Sequence, residues 1–268
     1  MTDKSSEPSR SARFPWREGR PPHLPMGPGE VPRIVLLPGD PARVDLAANA
    51  LEDFKIVGQT REFRFGVGFW DGEAVGVCST GIGGPSTEIA VVELANIGME
   101  IAIRVGGMGA INPTISLGEL LVVRESLRGS GAAAYYASPR ERVLADPSVV
   151  EALLLKAGEM QMLARCGVVA TVDSYYAGQG RPYRAGGSWI DTTADWVARG
   201  ADGLEMETET VLAVARRLGV AAGAVLGAHN SRPTDDWLES YSQTQLNVLR
   251  AGAAAGVHVL RQRDASRR

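Results

Sequence analysis

The chain has 268 residues and a formal net charge of −3, which argues against a nucleic-acid partner gripped through a basic surface. Hydrophobic residues make up 44%, enough for a large α/β core only if most of the chain folds together. Cys78 and Cys166 each lie beside apolar residues and read as reduced core thiols, and no C-x-x-C pair or His/Cys cluster suggests a metal. No apolar run reaches the length of a membrane span and no signal-peptide core opens the chain, so a cytoplasmic protein without a membrane partner is expected.

Residues 1–22 mix Ser, Pro, Arg and Gly without periodicity and read as a flexible tail, followed by an isolated His23-Leu24. Ile34–Leu37 is a short apolar strand running into Pro38-Gly39-Asp40-Pro41-Ala42-Arg43 and a helix to about Leu51. Gly39 offers an N–H at the strand end and Arg43 lies in the first helical turn, an anion-friendly corner. Glu62–Trp70 and Glu73–Ser79 flank Asp71-Gly72, a hairpin signal, with Arg61 and Arg64 on the edge. Ala74–Cys78 leads into the glycine loop Gly81–Pro85, after which Ser86 and Thr87 are expected to cap a helix that Gly98 closes.

Ile101–Val105 reads as the next strand and Gly106-Gly107-Met108-Gly109 as a second glycine loop. If the strands are parallel, both loops open at the sheet edge where open α/β sheets bind ligands. Arg104 stands inside this apolar run. Two readings stay open: an internal Arg–carboxylate pair, or an arginine aimed at a bound anion. The spacing is not G-x-G-x-x-G, so no dinucleotide fingerprint is present.

Further strands are expected at Glu119–Arg124, Cys166–Val172 and Val220–Gly227, with a loop over 125–147 and helices at Ser148–Leu163 and Leu238–Leu260. The polar loop from Asp173 to Arg181 holds Tyr175, Gln179 and Arg181, either ordinary loop residues or a hydrogen-bonding set for a planar heterocycle. Glu205, Glu207 and Glu209 alternate, so they share a face in extended geometry. They are either a solvated helix start or a carboxylate site for a sugar diol. His229-Asn230-Ser231-Arg232 form a polar run just past a strand. With no repeat or linker, 23–260 reads as one domain and 261–268 as a solvated tail.

The segments LPGDPARV, TREF, CSTGIGGPSTEIAVVELANIG, IRVGGMGAI, YYAGQGR and LEMETE occur in the order and approximate spacing of the nucleoside phosphorylase family, which the chain resembles from His23 to its last helix. The Gly-Gln-Gly-Arg loop is similar to the pyrimidine-specific, uridine phosphorylase branch. The resemblance implies a single-domain, three-layer α/β fold with a central mixed β-sheet flanked by helices. It implies reversible phosphorolysis of a ribonucleoside, uridine or a related pyrimidine nucleoside, with phosphate as co-substrate and no cofactor.

Residue by residue, the resemblance assigns Gly39, Arg43 and Arg104 to phosphate, with Arg61 contributed by a neighbouring subunit. It assigns Glu205, Met206 and Glu207 to ribose, with His23 reaching the 5′-hydroxyl from the neighbour. Gln179 and Arg181 match base contacts, to which Tyr175 and Asn230 are added, and Arg232 falls near the pocket mouth. Glu62, Ile82 and Ser86 match an intersubunit potassium site. A homodimer as catalytic unit and three dimers in a hexamer follow. The family's Thr or Ser three residues after the strand arginine is here Gly107, which offers no hydroxyl. The alternatives are a purine nucleoside phosphorylase, a nucleosidase and a non-catalytic nucleoside-binding protein.

Overall fold

A run of apolar residues without alternation suits a strand covered on both faces, and in Ile34–Leu37 all four residues are buried. The computed structural model describes residues 11–184 and 186–267. Its elements are β1 (Ile34–Leu37), α1 (Pro41–Leu46), β2 (Glu52–Thr60), β3 (Phe63–Trp70), β4 (Glu73–Cys78), α2 (Gly84–Asn96), β5 (Ile101–Ala110), β6 (Leu120–Leu127), β7 (Val143–Leu144), α3 (Pro147–Glu159), β8 (Ala164–Thr171), α4 (Thr193–Ala198), β9 (Gly203–Glu205), α5 (Thr208–Arg217), β10 (Ala221–Ser231), β11 (Asp236–Trp237) and α6 (Ser242–Ser266).

Among the described residues the strands form one mixed sheet. β1 is parallel to both β4 and β5, and β5 is parallel to β10. Beyond them the sheet closes on itself: β5, β10, β6, β8 and β9 are hydrogen-bonded in a ring. Alternate residues of β1 serve opposite layers, as the pleat requires. Val35 and Leu37 join Val91 and Leu94 of α2 and Val211 of α5, whereas Ile34 and Leu36 join Val149 and Leu153 of α3 and Val248 and Leu249 of α6. Helices thus cover both faces, the three-layer arrangement expected.

Several boundaries differ from the sequence reading for identifiable reasons. Gly106–Gly109 is not a loop but part of β5, in register with β10 from Leu226 to Asn230. Side chains of β5 itself and of β10 fill the space these glycines leave. A Cβ at Gly106 would lie 2.9 Å from the Arg104 guanidinium, and one at Gly109 would lie 2.7 Å from Asn230 Oδ1. Likewise β10 runs on to Ser231, so His229 and Asn230 are strand residues. β2 has no counterpart in the sequence reading, because none of its residues is buried and no alternation marks it.

The Asp71-Gly72 hairpin stands as expected, with φ of 50° and 79°. Helix α2 starts at Gly84 under a Gly83 cap with φ 89°, rather than under Ser86 or Thr87. Helix α6 continues to Ser266, past the expected end at Leu260. Its last turns are tied down by Arg33, which holds Asp264 at 2.8 Å and Glu100 at 2.7 Å. Cys78 is buried, but Cys166 is exposed near the start of β8 and is no core thiol. Of the expected N-terminal tail, residues 1–10 lie outside the described residues. Within 11–22, Trp16 packs on the core beside α2.

Candidate active site

A cleft of about 700 Å³ opens where β1, β5, β9 and β10 end. Its walls gather Gly39, Arg43, Arg104, Gly107, Tyr175, Gln179, Arg181, Glu205, Met206, Glu207 and Asn230, together with Glu62, Ile82 and Ser86 at the rim. Residues read as far apart as 39 and 230 are therefore brought together by the sheet.

On one side stand two arginines. Asp40 caps α1, its Oδ1 accepting from Ala42 N at 2.9 Å, and so sets the helical turn that carries Arg43. The amide oxygen of Gln245, on α6, accepts from Arg43 Nε at 2.9 Å and Nη2 at 3.2 Å. Arg43 has no ion pair among the described residues. Burial and then the charge of Arg104 pull its pKa below the usual guanidinium value.

Arg104 is 4% exposed and settles between two carboxylates. Its Nε donates to Glu205 Oε2 at 2.9 Å, its Nη2 lies 2.5 Å from Glu207 Oε2, and Nη1 has no partner among the described residues. Burial opposes its charge, but Glu207 and Glu205 outweigh it and hold the pKa above the ordinary value. The internal-pair reading of Arg104 is thus correct, and the same residue also lines the cleft.

The three glutamates are no solvated helix start, since all are buried. Glu205, at the end of β9, accepts from Arg104 Nε, from the backbone N–H groups of Glu207 and Thr208 at 3.0 Å and 2.9 Å, and from the Thr171 hydroxyl. Every acceptor position it has is engaged. Glu207, just before α5, accepts from Gly83 N at 2.6 Å. Two buried carboxylates share one guanidinium there. Burial, with Glu205 adding to it, lifts Glu207 above the usual carboxylate range against the pull of Arg104. Glu209 turns away from the cleft and accepts from Gly129 N and Ser130 N, both at 2.8 Å.

On the other side is the loop after β8. Gln179 is 3% exposed, and its Oε1 accepts from Arg181 Nη1 at 2.5 Å. The Arg181 guanidinium lies 4.0 Å over the Tyr175 ring and also donates to Tyr175 O at 3.0 Å. Arg232 braces the loop by donating to Gly180 O at 2.7 Å. Asn230 lines the cleft from β10, buried and packed over Gly109 of β5, its Oδ1 without a hydrogen-bond partner among the described residues.

Two residues stay outside. Arg61 occupies the turn between β2 and β3 at φ 53°, exposed and without a side-chain partner among the described residues. His23 lies against α2, where Nδ1 is 2.6 Å from Glu93 Oε1 and the His23 and Leu24 N–H groups donate to Glu93 Oε2. At the rim, Ser86 Oγ donates to Glu62 Oε1 at 2.9 Å and Ile82 is 79% exposed. No group of three His, Cys, Asp or Glu residues that could hold a metal ion occurs among the described residues. None of their helices is long and apolar enough to cross a membrane.

The sequence reading names His229 within a polar run but gives it no role; it lines the cleft and stacks on Tyr241 at 4.7 Å between ring centroids. Its signal was present in the polar run after Gly227, but its neighbour Gly107 lies on another strand, beyond the reach of local pattern.

Residues 33–261 match the family model described as the phosphorylase superfamily. A uridine phosphorylase of Thermococcus kodakarensis is 37% identical over 223 residues, 82% of this chain and 80% of the relative. One of Salmonella typhimurium is 34% identical over 227 residues, 82% and 90%. A guanosine phosphorylase of Halorubrum lacusprofundi is 32% identical over 236 residues, 86% and 94%. The chain belongs to the phosphorylase superfamily.

Proposed function

We propose that this superfamily member is a pentosyltransferase that catalyses reversible phosphorolysis of a ribonucleoside, uridine or a related pyrimidine nucleoside, to free base and ribose 1-phosphate. The observation that carries the reading is the pairing of Arg43, a cation without an ion pair among the described residues, with Arg104 in an open cleft. Arg104 is matched by Glu205 and Glu207, but Arg43 beside it has no carboxylate partner among the described residues, which leaves a guanidinium for a bound anion.

Phosphate held by Arg43, Arg104 and the Gly39 N–H lies below C1′. It stabilises the positive charge that develops on the sugar as the C1′–N bond lengthens, then bonds to C1′ as the base departs. Glu207 and Met206 hold the ribose. Glu205 has no acceptor position left for a sugar hydroxyl, so it serves by fixing Arg104. Gln179 and Arg181 stabilise the departing base. Because Arg181 occupies the Gln179 oxygen, both side chains present N–H donors, which suits the carbonyl oxygens of uracil better than an exocyclic amino group.

Arg61 and His23 enter from a second copy of the chain, a reading supported by their position outside their own cleft. The catalytic unit is then a homodimer, three of which form a hexamer in the cytoplasm, with potassium at Glu62, Ile82 and Ser86. A purine nucleoside is the second reading, favoured by Asn230, a buried residue of the cleft whose Oδ1 has no hydrogen-bond partner among the described residues.

The test is a nucleoside panel incubated with and without phosphate, with released bases separated by chromatography. Uridine should be cleaved fastest and only with phosphate or arsenate. Base release that ignores phosphate would indicate a nucleosidase, nucleoside binding without release a non-catalytic protein, and faster guanosine or inosine cleavage the purine reading.

A further inference from the structure

Gly107 is the position where the cleft lacks an expected side chain, and the structure shows what fills it. A Cβ built on Gly107 would lie 2.3 Å from His229 Nδ1 and 2.4 Å from its Cε1, so the imidazole occupies the volume that a residue there would need. The two positions lie on adjacent strands, β5 and β10. The side chain missing from one strand is replaced by a ring from the next.

The ring is braced by the start of α6. Tyr241, which caps that helix, stacks against it at an interplanar angle of 26°. One turn along, Gln245 grips Arg43. The same helical turn therefore positions His229 and Arg43 in one corner. The proton's place follows from satisfaction. His229 Nε2 is buried with no hydrogen-bond partner among the described residues, whereas Nδ1 is on the Gly107 side. A neutral imidazole has one N–H, and an orphaned N–H is the rarer and costlier of the two buried states. The proton therefore belongs on Nδ1. Burial, reinforced by the Arg43 charge, pushes the ring down to about 4 and keeps it neutral.

We propose that His229 is a further phosphate-binding residue, whose Nδ1–H donates to the oxyanion held by Arg43 and Arg104 in place of the side chain Gly107 lacks. This rests on the phosphorolysis reading. It adds that Gly107 and His229 act as one unit: the glycine is required because the histidine is there.

Two measurements on the full chain test it. Isothermal titration with inorganic phosphate reads the contact without turnover. His229→Ala should weaken phosphate binding about tenfold or more, the usual loss for one hydrogen bond to a charged group, while His229→Asn, which puts an amide N–H near the Nδ1 position, should recover most of it. Steady-state uridine phosphorolysis should show the same change in phosphate KM, with the nucleoside KM moving less than about twofold. Gly107→Thr should lose phosphate affinity by crowding the ring, and Gly107→Thr/His229→Ala should regain it. Equal phosphate affinity in wild type and folded His229→Ala overturns the proposal while leaving phosphorolysis intact. Wild-type protein that releases base without phosphate overturns the phosphorolysis reading, and failure to bind phosphate at all overturns both.

Discussion

Arg104 lies within β5, and Glu205 and Glu207 lie at and just after the end of β9, each no more than 5% exposed, whereas Tyr175 and Arg181 belong to a loop and Tyr175 is 39% exposed. In the first group each carboxylate has a guanidinium and at least one backbone N–H as partners. In the second, the contacts among Tyr175, Gln179 and Arg181 stay within one seven-residue stretch of loop, tied to the sheet by Arg232. A site that always binds phosphate can be built into the sheet, where every partner is fixed by strand register. A site that discriminates among bases is better carried by a loop, where substitutions leave the core untouched.

The largest consequence of that difference concerns Arg104. Arg104→Ala should abolish phosphate-dependent base release and also destabilise the protein by about 3–5 kcal/mol, because it leaves buried carboxylates without their cation. Denaturant midpoints measured beside activity would show both losses. An Arg104→Ala protein of wild-type stability would mean that the triad with Glu205 and Glu207 is not formed. Arg181→Ala, by contrast, should lower uridine turnover by about 10²-fold, the scale of a polar specificity contact, with the midpoint unchanged. A comparable stability loss at Arg181 would erase the distinction between the two walls.

What could be read locally in the sequence divides along related lines. The corner at Gly39 and Arg43 and the hairpin at Asp71-Gly72 are set by neighbours in sequence, and the structure has their local geometry as expected. Gly106, Gly107 and Gly109 mislead because a glycine run signals a loop, whereas here each leaves room for a side chain, Arg104 of the same strand at Gly106 and His229 and Asn230 of β10 at Gly107 and Gly109. The partners of Glu205 are likewise hidden from the local sequence. Its engagement by Thr171 and Arg104 depends on β8 and β5 flanking β9, which no local pattern encodes.

The shared-site proposal makes a smaller prediction, tied to the residues that neither wall contains. Arg61→Ala and Glu207→Ala should each be inactive alone. After subunit exchange, a mixed dimer has one cleft with Glu207 from one chain and Arg61 from the other, and one cleft with both lesions. Random pairing makes half the dimers mixed with one intact cleft in two, so recovery should approach about a quarter of wild-type activity. Proven exchange without recovery would return Arg61 to the solvated surface.

The smallest effect is a tilt of stability with pH that separates the sheet-built wall from the loop. His229 titrates at about 4 in the folded chain against 6.5 for the free side chain, because burial, and secondarily Arg43, disfavour its charged form. Between those values the unfolded chain takes up a proton that the folded chain refuses. Stability is therefore complete above about 6.5 and falls as the pH drops toward about 4. His229→Asn removes this group, so the wild-type minus variant difference in denaturation midpoint should shift against wild type across that window and stay flat above it. Bound phosphate should reduce the shift, because an anion beside the ring favours its protonated form and raises the folded pKa toward 6.5. A difference that ignores phosphate would mean that the ring titrates as a buried core residue, out of reach of the anion. The same comparison made with Arg181→Ala should show no such tilt, since a guanidinium stays charged throughout that range.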